Sequence, residues 1–258
     1  MNNQYKLRRD KNFKWFCFKL YNRKKGFISS IIDIFDVSRA YIRKFIENAA
    51  KYTKEGSKVL DVGAGEITWE YLFPNCEYYT QDNCLSEKNW DYSKIDYKSD
   101  IINIPTQSNS FDAIIMTEVL EHLSEPVLAL KELNRILKNN GKLYLTVPQG
   151  WAEHEQPYDF FRYTSFGLEY ILEKANFKII SIEKRGGYFK YIGMRLWRFT
   201  QLPCMTRNKL FTIPLRIIVT PFFIIISITC YLIDDWDKEK ELTLGYQVIA
   251  KKENENVF

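Results

Sequence analysis

The stretch Val59-Leu-Asp-Val-Gly-Ala-Gly-Glu-Ile-Thr68 runs an apolar, β-branched segment straight into two glycines. Lys58 to Val62 reads as a short buried strand. Gly63 and Gly65 then supply the positive φ, or the bare backbone, of a turn that is either a ligand cradle or a tight bend. A dinucleotide fingerprint would put a third glycine or alanine at position 68, where this chain has Thr68, and no Gly-Lys-Ser/Thr follows for a phosphate loop. What remains is a ligand whose polar end meets backbone amides and a carboxylate, and whose ribose meets an acid after the second strand. Asp82 occupies that place.

Outward from this turn, helical and strand patterns alternate. Ala40, Ile42, Phe45, Ile46, Ala49 and Ala50 recur at helical spacing from Ser38 on, and Lys54-Glu-Gly-Ser57 ends that helix. Glu77 to Asp82 reads as a second strand, and Phe111 to Thr117 as a continuous apolar run buried on both faces. Ser124 is positioned to cap a helix with Pro126 in its first turn and Val127, Leu130, Leu133 and Leu137 on one stripe, stopping at Asn139-Asn-Gly141. Gly141 to Val147 is a strand, Ser165 to Lys174 a helix and Lys178 to Glu183 a strand. The alternation predicts an α/β, doubly wound, mostly parallel sheet with helices on both faces, its ligand beyond the carboxyl ends of the strands where their order reverses.

With 258 residues, 46% of them hydrophobic and 27% charged, the chain has room for one sizeable core and some appendages. Five cysteines, odd in number and without a CxxC pair, indicate neither a disulfide framework nor a zinc ribbon and fit a reducing compartment. No apolar segment follows Met1, so a cleaved secretory signal is not expected. The net charge of +5 is uneven, because nine Lys and Arg from Lys6 to Lys25 face only Asp10, with aromatic residues interleaved. Such a segment is either a solvated tail or an arm that binds anionic lipid or nucleic acid.

From Lys58 to Ile182 the motifs, in order, resemble a class I S-adenosylmethionine (SAM) dependent methyltransferase, of the group that includes small-molecule, lipid and ubiquinone-pathway enzymes. Asp61-Val-Gly-Ala-Gly65 resembles the first motif. The resemblance implies that Asp61, Gly63, Ala64 and Gly65 hold the methionine half of SAM, and that Asp82 binds both ribose hydroxyls. It further implies that Asp100 and Ile101 lie by the adenine, and that Thr117 stands beside the reactive methyl at the end of the fourth strand. Ile67 departs from the pattern, since many members carry glycine there. Asp112 is read as a turn residue without a chemical role.

Glu118-Val-Leu-Glu121-His122 resembles the motif by which ubiquinone-pathway O-methyltransferases hold a divalent cation. The commoner role of such a histidine is to pin the helix start, and no metal is expected. The second histidine lies in Trp151-Ala-Glu-His154-Glu-Gln-Pro-Tyr158-Asp159-Phe-Phe-Arg162, after the fifth strand, among groups able to orient or deprotonate an acceptor. His154 is the preferred general base and His122 the second catalytic candidate. Asp159 and Arg162 are equally well read as an ion pair that fixes the loop.

Gly245 to Ala250 looks like the family's seventh strand, yet residues 188–241 stand where a short hairpin is usual. They contain the apolar run Ile213 to Ile233, preceded by Arg195, Arg198, Arg207 and Lys209 and interrupted by Pro214, Arg216 and Pro221. A bilayer core takes about 20 apolar residues as helix, and a chain that returns to its own sheet would need two such spans. The expected division is a basic aromatic segment at 1–37, a methyltransferase core at 38–187, an apolar helical insertion at 188–241 and the last core strand with a tail at 242–258. The insertion is expected to lie on the inner leaflet, with basic residues and Trp197 at the headgroups, making the protein a peripheral one on the cytoplasmic face. The alternative is a flap packed on protein.

Together these readings predict methylation of a small-molecule or lipid- or glycan-linked acceptor at the membrane. A nucleic-acid methyltransferase is disfavoured, because Thr117-Glu-Val-Leu stands where base-amino enzymes carry an Asn/Asp-Pro-Pro-aromatic tetrad. A non-catalytic SAM-binding module is the third class.

Overall fold

A computed structural model describes residues 36–86, 90–199 and 209–253. Residues 1–35, most of the basic opening segment, lie outside it, as do Arg207 and the side chains of Trp197, Arg198, Lys209 and Arg216.

Helix α1 (Val37–Tyr52) leads into β1 (Lys58–Val62), β2 (Glu77–Asp82), β3 (Tyr97–Lys98) and β4 (Phe111–Thr117). Then come α2 (Pro126–Ile136), β5 (Leu137–Pro148), α3 (Ser165–Lys174), β6 (Phe177–Lys184), α4 (Tyr188–Phe199), α5 (Lys209–Ile233) and β7 (Gly245–Lys252). The seven strands form one sheet in the order β3-β2-β1-β4-β5-β7-β6. β7 runs antiparallel to both β5 and β6, and the other pairs are parallel.

Strand alternation divides the apolar residues between two layers. Leu60, Val62, Ile114, Met116, Leu143 and Leu145 pack with α2 and α3 on one face. Val59, Ala113, Ile115 and Tyr144 pack against Ile42, Phe45, Ile46 and Ala49 of α1 on the other. Because the strand order reverses between β1 and β4, the segments after these two strands diverge and leave a crevice at their carboxyl ends.

Two local expectations are corrected. Ser124 does not cap α2: the N-cap is Glu125, without a side-chain bond, and Pro126 takes the first helical position, where its missing N–H costs nothing. Nor does the helix extend to Asn139. Leu137 is fully buried as the first residue of β5, paired with Phe111, and a bulge between Phe111 and Ala113 absorbs Lys138 to Gly141.

Residues 188–241 hold two helices in place of one apolar run. α4 and α5 meet where Gly193 faces Ser227 and Cys230, and Ser227 Oγ donates to Gly193 O at 2.9 Å. The bare Cα is needed there, since a Cβ would lie 2.9 Å from Cys230 Cβ. At the base, buried Asp234 just after α5 accepts from Gly187 N and Lys190 N at the start of α4, at 2.8–3.1 Å. Asp237 adds Tyr188 N at 2.7 Å. The start and the end of the helical hairpin are thereby fastened together.

Candidate active site

The turn after β1 is built for close approach. Gly63 and Gly65 have φ of +67° and +52°, and Gly63 N and Ala64 N both donate to Gln81 O, at 2.8 and 3.0 Å. A Cβ on Gly63 would lie 2.5 Å from Val119 Cγ2, so this glycine lets the β1 turn meet the segment after β4. A Cβ on Gly65 would lie 2.7 Å from the Trp90 ring, which covers that side of the turn. Ile67 also has positive φ, +53°, an uncommon conformation for a β-branched residue. Its N–H donates to Ala64 O at 2.9 Å.

Asp61 is buried and accepts from Tyr78 Oη at 2.8 Å. Burial raises its carboxyl from 3.8 to about 7, against the Tyr78 bond and with the neighbouring Asp82 charge. Asp82 itself accepts from Gly65 N at 3.0 Å through Oδ2 and from Cys84 N at 2.7 Å through Oδ1. An ionised carboxylate has about four lone-pair sites, so two remain for hydroxyl donors. Asp100 lies just past β3, whose Lys98 pairs with Asp82. It is exposed, and its Oδ1 accepts from Ile102 N at 3.2 Å. Ile101 is 5% exposed and joins the core layer of α2 and α3. An acid bonded to the glycine turn, with acceptor sites left over, fits the ribose hydroxyls of a nucleoside cofactor.

β4 ends at Thr117, whose Oγ1 accepts from Trp69 Nε1 at 3.2 Å. Glu118, next in the chain, has φ of +54°. Its Oε1 accepts from Thr146 Oγ1 at 2.9 Å and from Arg185 Nη2 at 2.8 Å. Glu121 is fully buried, and neither of its carboxylate oxygens has a hydrogen-bond partner among the described residues. That burial, together with the Glu118 charge, raises its proton affinity well above the ordinary carboxylate range.

The loop after β5 folds back over this end of the sheet. Arg162 binds Asp159 with both terminal nitrogens at 2.7 Å, and reaches Trp151 O and Ala152 O at 3.3 and 3.2 Å, tying the two ends of the loop together. Burial alone would raise the Asp159 carboxyl, but bonds from Arg162 and from the His154 backbone prevail and hold it at about 2. The expected ion pair is therefore present. The two histidines, 32 residues apart in sequence, meet here, with ring centroids 4.7 Å apart in a T-shaped arrangement. His122 Nδ1 lies 2.7 Å from Tyr158 O, and His154 Nδ1 3.2 Å from Asp159 Oδ2. Burial, aided by His154, lowers the His122 proton affinity against the pull of Tyr158 O and Asp159.

The apolar hairpin touches the same loop. Trp151, Tyr191 and Tyr231 pack around Val37, Met194 and Leu244, and Gly150 faces Tyr191 so closely that a Cβ would collide with the ring. On its outer side α5 exposes Ile217, Ile218, Phe222, Ile225 and Leu232, each more than 60% accessible. Among the described residues, Ile217–Trp236 is the one helical segment long and apolar enough to cross a membrane.

Tyr78, Trp90, Val119 and Arg185 belong to the site and were not expected. Only Tyr78 left a signal, as it stands on β2 at the same period-two face as Thr80 and Asp82.

A family model described as "Methyltransferase domain" matches residues 36–182, more than half of the chain. A demethylmenaquinone methyltransferase of Staphylococcus carnosus is 34% identical over 100 residues, covering 34% of this chain and 42% of that protein. A probable tRNA methyltransferase 9B of Mus musculus is 32% identical over 122 residues, covering 45% and 25%. The chain thus spans under half the length of these curated relatives. Among solved structures, a SAM-dependent methyltransferase of Archaeoglobus fulgidus aligns with TM-score 0.52 at 17% identity, covering 88% of this chain and all of that one. A phosphoethanolamine N-methyltransferase 2 of Haemonchus contortus, solved with S-adenosyl-L-methionine, aligns with TM-score 0.50 at 17% identity, covering 82% and 52%.

Proposed function

Because the chain belongs to this methyltransferase-domain family and is a SAM-dependent methyltransferase, we propose that its acceptor is a small or lipid-linked molecule methylated at a membrane surface. The observation that carries this reading is the contact of the exposed apolar hairpin with the loop that bears His154, through Trp151, Tyr191 and Tyr231. An element suited to an apolar phase thus packs on Trp151, three residues before His154 in the same loop.

SAM supplies an electrophilic methyl on a sulfonium. The rest falls to the chain. Gly63 and Gly65 present backbone without side chains, Asp61 and Asp82 supply negative charge and acceptors, and Thr117 and Glu118 border the place of transfer. Holding donor and acceptor in line turns a two-body encounter into a one-body step, the largest contribution such a site makes. A hydroxyl acceptor must also lose a proton. His154, oriented through Nδ1 by Asp159, is the base for it, with His122 beside it.

The hairpin supports peripheral attachment and not a crossing. Asp234 holds its two ends together, and α4, with Lys190, Arg195 and Arg198 in 12 residues, does not suit a return span. The segment lies along the inner leaflet with the α5 row in the acyl boundary.

The test is flotation of the full chain with vesicles containing anionic lipid, at low salt, together with SAM-dependent methyl incorporation into a lipid extract. Co-flotation that is lost in a Phe222→Glu/Ile225→Glu variant supports the reading, and recovery in the soluble fraction alone removes it. The second reading, methylation of RNA, draws on the tRNA methyltransferase relative, and salt-sensitive retention on immobilised RNA would favour it.

A further inference from the structure

We propose that Glu121, His122 and His154 form a binding site for a divalent transition-metal ion at the acceptor end of the crevice, an inference that rests on the acceptor site proposed above. The donor atoms of these three side chains all lie within 4.8 Å of one another.

Three features point to a cation. Glu121 is fully buried, and both carboxylate oxygens lack a hydrogen-bond partner among the described residues. A cation facing those oxygens would satisfy a carboxylate to which no group of the described chain is hydrogen-bonded. Its backbone position is fixed, because Phe160 N and Phe161 N donate to Glu121 O at 2.9 and 3.2 Å.

The histidines are prepared in the manner of ligands. A carbonyl oxygen only accepts, so His122 Nδ1, 2.7 Å from Tyr158 O, carries the hydrogen and Nε2 carries the lone pair. That Nε2 lies 3.6 Å from Glu121 Oε1. A lone pair facing a carboxylate oxygen is repulsive unless a proton or a cation lies between them. His154 Nδ1 faces Asp159 Oδ2, a carboxylate already paired to Arg162, so its hydrogen is also on Nδ1 and Nε2 is open. An imidazole that gives its other N–H to a carbonyl or carboxylate is the usual outer arrangement around a metal.

Two imidazoles and one carboxylate suit zinc, manganese, iron(II) or cobalt better than magnesium or calcium. Bonds of about 2 Å at tetrahedral angles place donors roughly 3.3 Å apart, so the cluster closes by about an ångström on binding. The ligand set differs from the one the sequence suggests. Glu118 is committed to Arg185 and Thr146, and His154 comes from a different loop.

Such an ion leaves a coordination position for the acceptor hydroxyl and makes it more acidic. One proton then passes to solvent per turnover, the sulfur–methyl bond breaks as the oxygen–methyl bond forms, and the sulfonium leaves as a neutral thioether. His154 acts as a ligand in the metal-loaded enzyme and as the base in the metal-free one.

The test uses the full chain, stripped with EDTA and titrated calorimetrically with Zn²⁺ and Mn²⁺, with Co²⁺ added separately to read ligand-field absorption in the visible. Far-ultraviolet circular dichroism and the thermal unfolding midpoint of the same samples report whether each protein is folded, and SAM binding is measured beside them. The expected result is one ion per chain, bound at least tenfold more weakly in His154→Ala and Glu121→Gln, with a loss of roughly 10- to 100-fold in Asp159→Asn. Absence of saturable binding by the wild-type chain overturns the proposal. So does unchanged affinity in His154→Ala. Either result with SAM binding intact leaves the methyltransferase reading standing, whereas failure of the wild-type chain to bind SAM counts against that reading alone.

Discussion

Arg185 Nη2 and Glu118 Oε1 lie 2.8 Å apart, and the guanidinium that joins them is wholly buried. It reaches from the end of β6 past Gly245, where a Cβ would collide with it, to Val147 O on β5 and Glu118 after β4. One charged side chain thus connects the ends of four neighbouring strands beneath the acceptor end of the site. Removing the arginine leaves Glu118, 28% accessible and still bonded to Thr146, without its cation, so the cost is below the roughly 3–5 kcal/mol of a fully buried pair. Arg185→Met is expected to destabilise by about 1–3 kcal/mol in urea unfolding, and Arg185→Met/Glu118→Gln by clearly less. Equal losses in the single and double variants would show that the pair is not the source.

Ile67 at φ +53° is strained in a way that glycine is not. The left-handed conformation costs an L-residue about 1–2 kcal/mol, partly offset by the greater freedom of glycine in the unfolded chain. Ile67→Gly is therefore expected to stabilise by about 1 kcal/mol, read as a higher Tm, with SAM affinity kept or improved.

Gly63→Ala should do the opposite. Its Cβ would lie 2.5 and 3.0 Å from the two Val119 methyls, at a φ that disfavours alanine. A loss of at least 1–2 kcal/mol is expected, along with SAM affinity lowered by tenfold or more. A companion Val119→Ala change frees the space and should return part of the stability.

Asp61 gives the protein a pH signature. Its folded-state value of about 7 exceeds the ordinary 3.8, so the native state holds a proton that the unfolded chain has already released. Its contribution to stability is full below pH 3.8 and declines as pH rises to about 7. Asp61→Asn should flatten that decline. A cationic cofactor favours the ionised form, so SAM affinity should rise through neutral pH in the native chain and stay level in the variant. A parallel rise in both would exclude Asp61 as the source.

Trp90 rests on Gly65 and stacks edge-on with Tyr92, ring centroids 6.2 Å apart. An indole at that turn should change its fluorescence when SAM binds. Trp90→Phe should remove most of the signal while calorimetry still detects binding.

The fold was legible because its evidence is local. β1, β2, β4 and α3 declare themselves by period, composition and flanking turn residues, and the order of motifs supplies the winding. β3 was not, since two residues carry no period, and α4 was hidden by its charged and aromatic mixture. In the site, the glycines and Asp82 could be found from their spacing after strands. Arg185 could not, because its partner is 67 residues away and nothing in Glu183-Lys-Arg-Gly-Gly187 marks the one cation that turns inward. The meeting of His122 with His154 depends in the same way on how the loop after β5 is tied by Arg162. Asp234 reads in the sequence as part of an acidic run, and only the folded hairpin shows it capping α4.

β7 is made last of the strands yet lies between β5 and β6. Until residues 245–252 are in place, then, the sheet has a gap one strand wide. A chain that stops short of residue 245 has two unpaired strand edges and no Gly245 O to accept from Arg185 N. The seven-stranded sheet is thus completed from within, by an antiparallel strand laid between two that are already made.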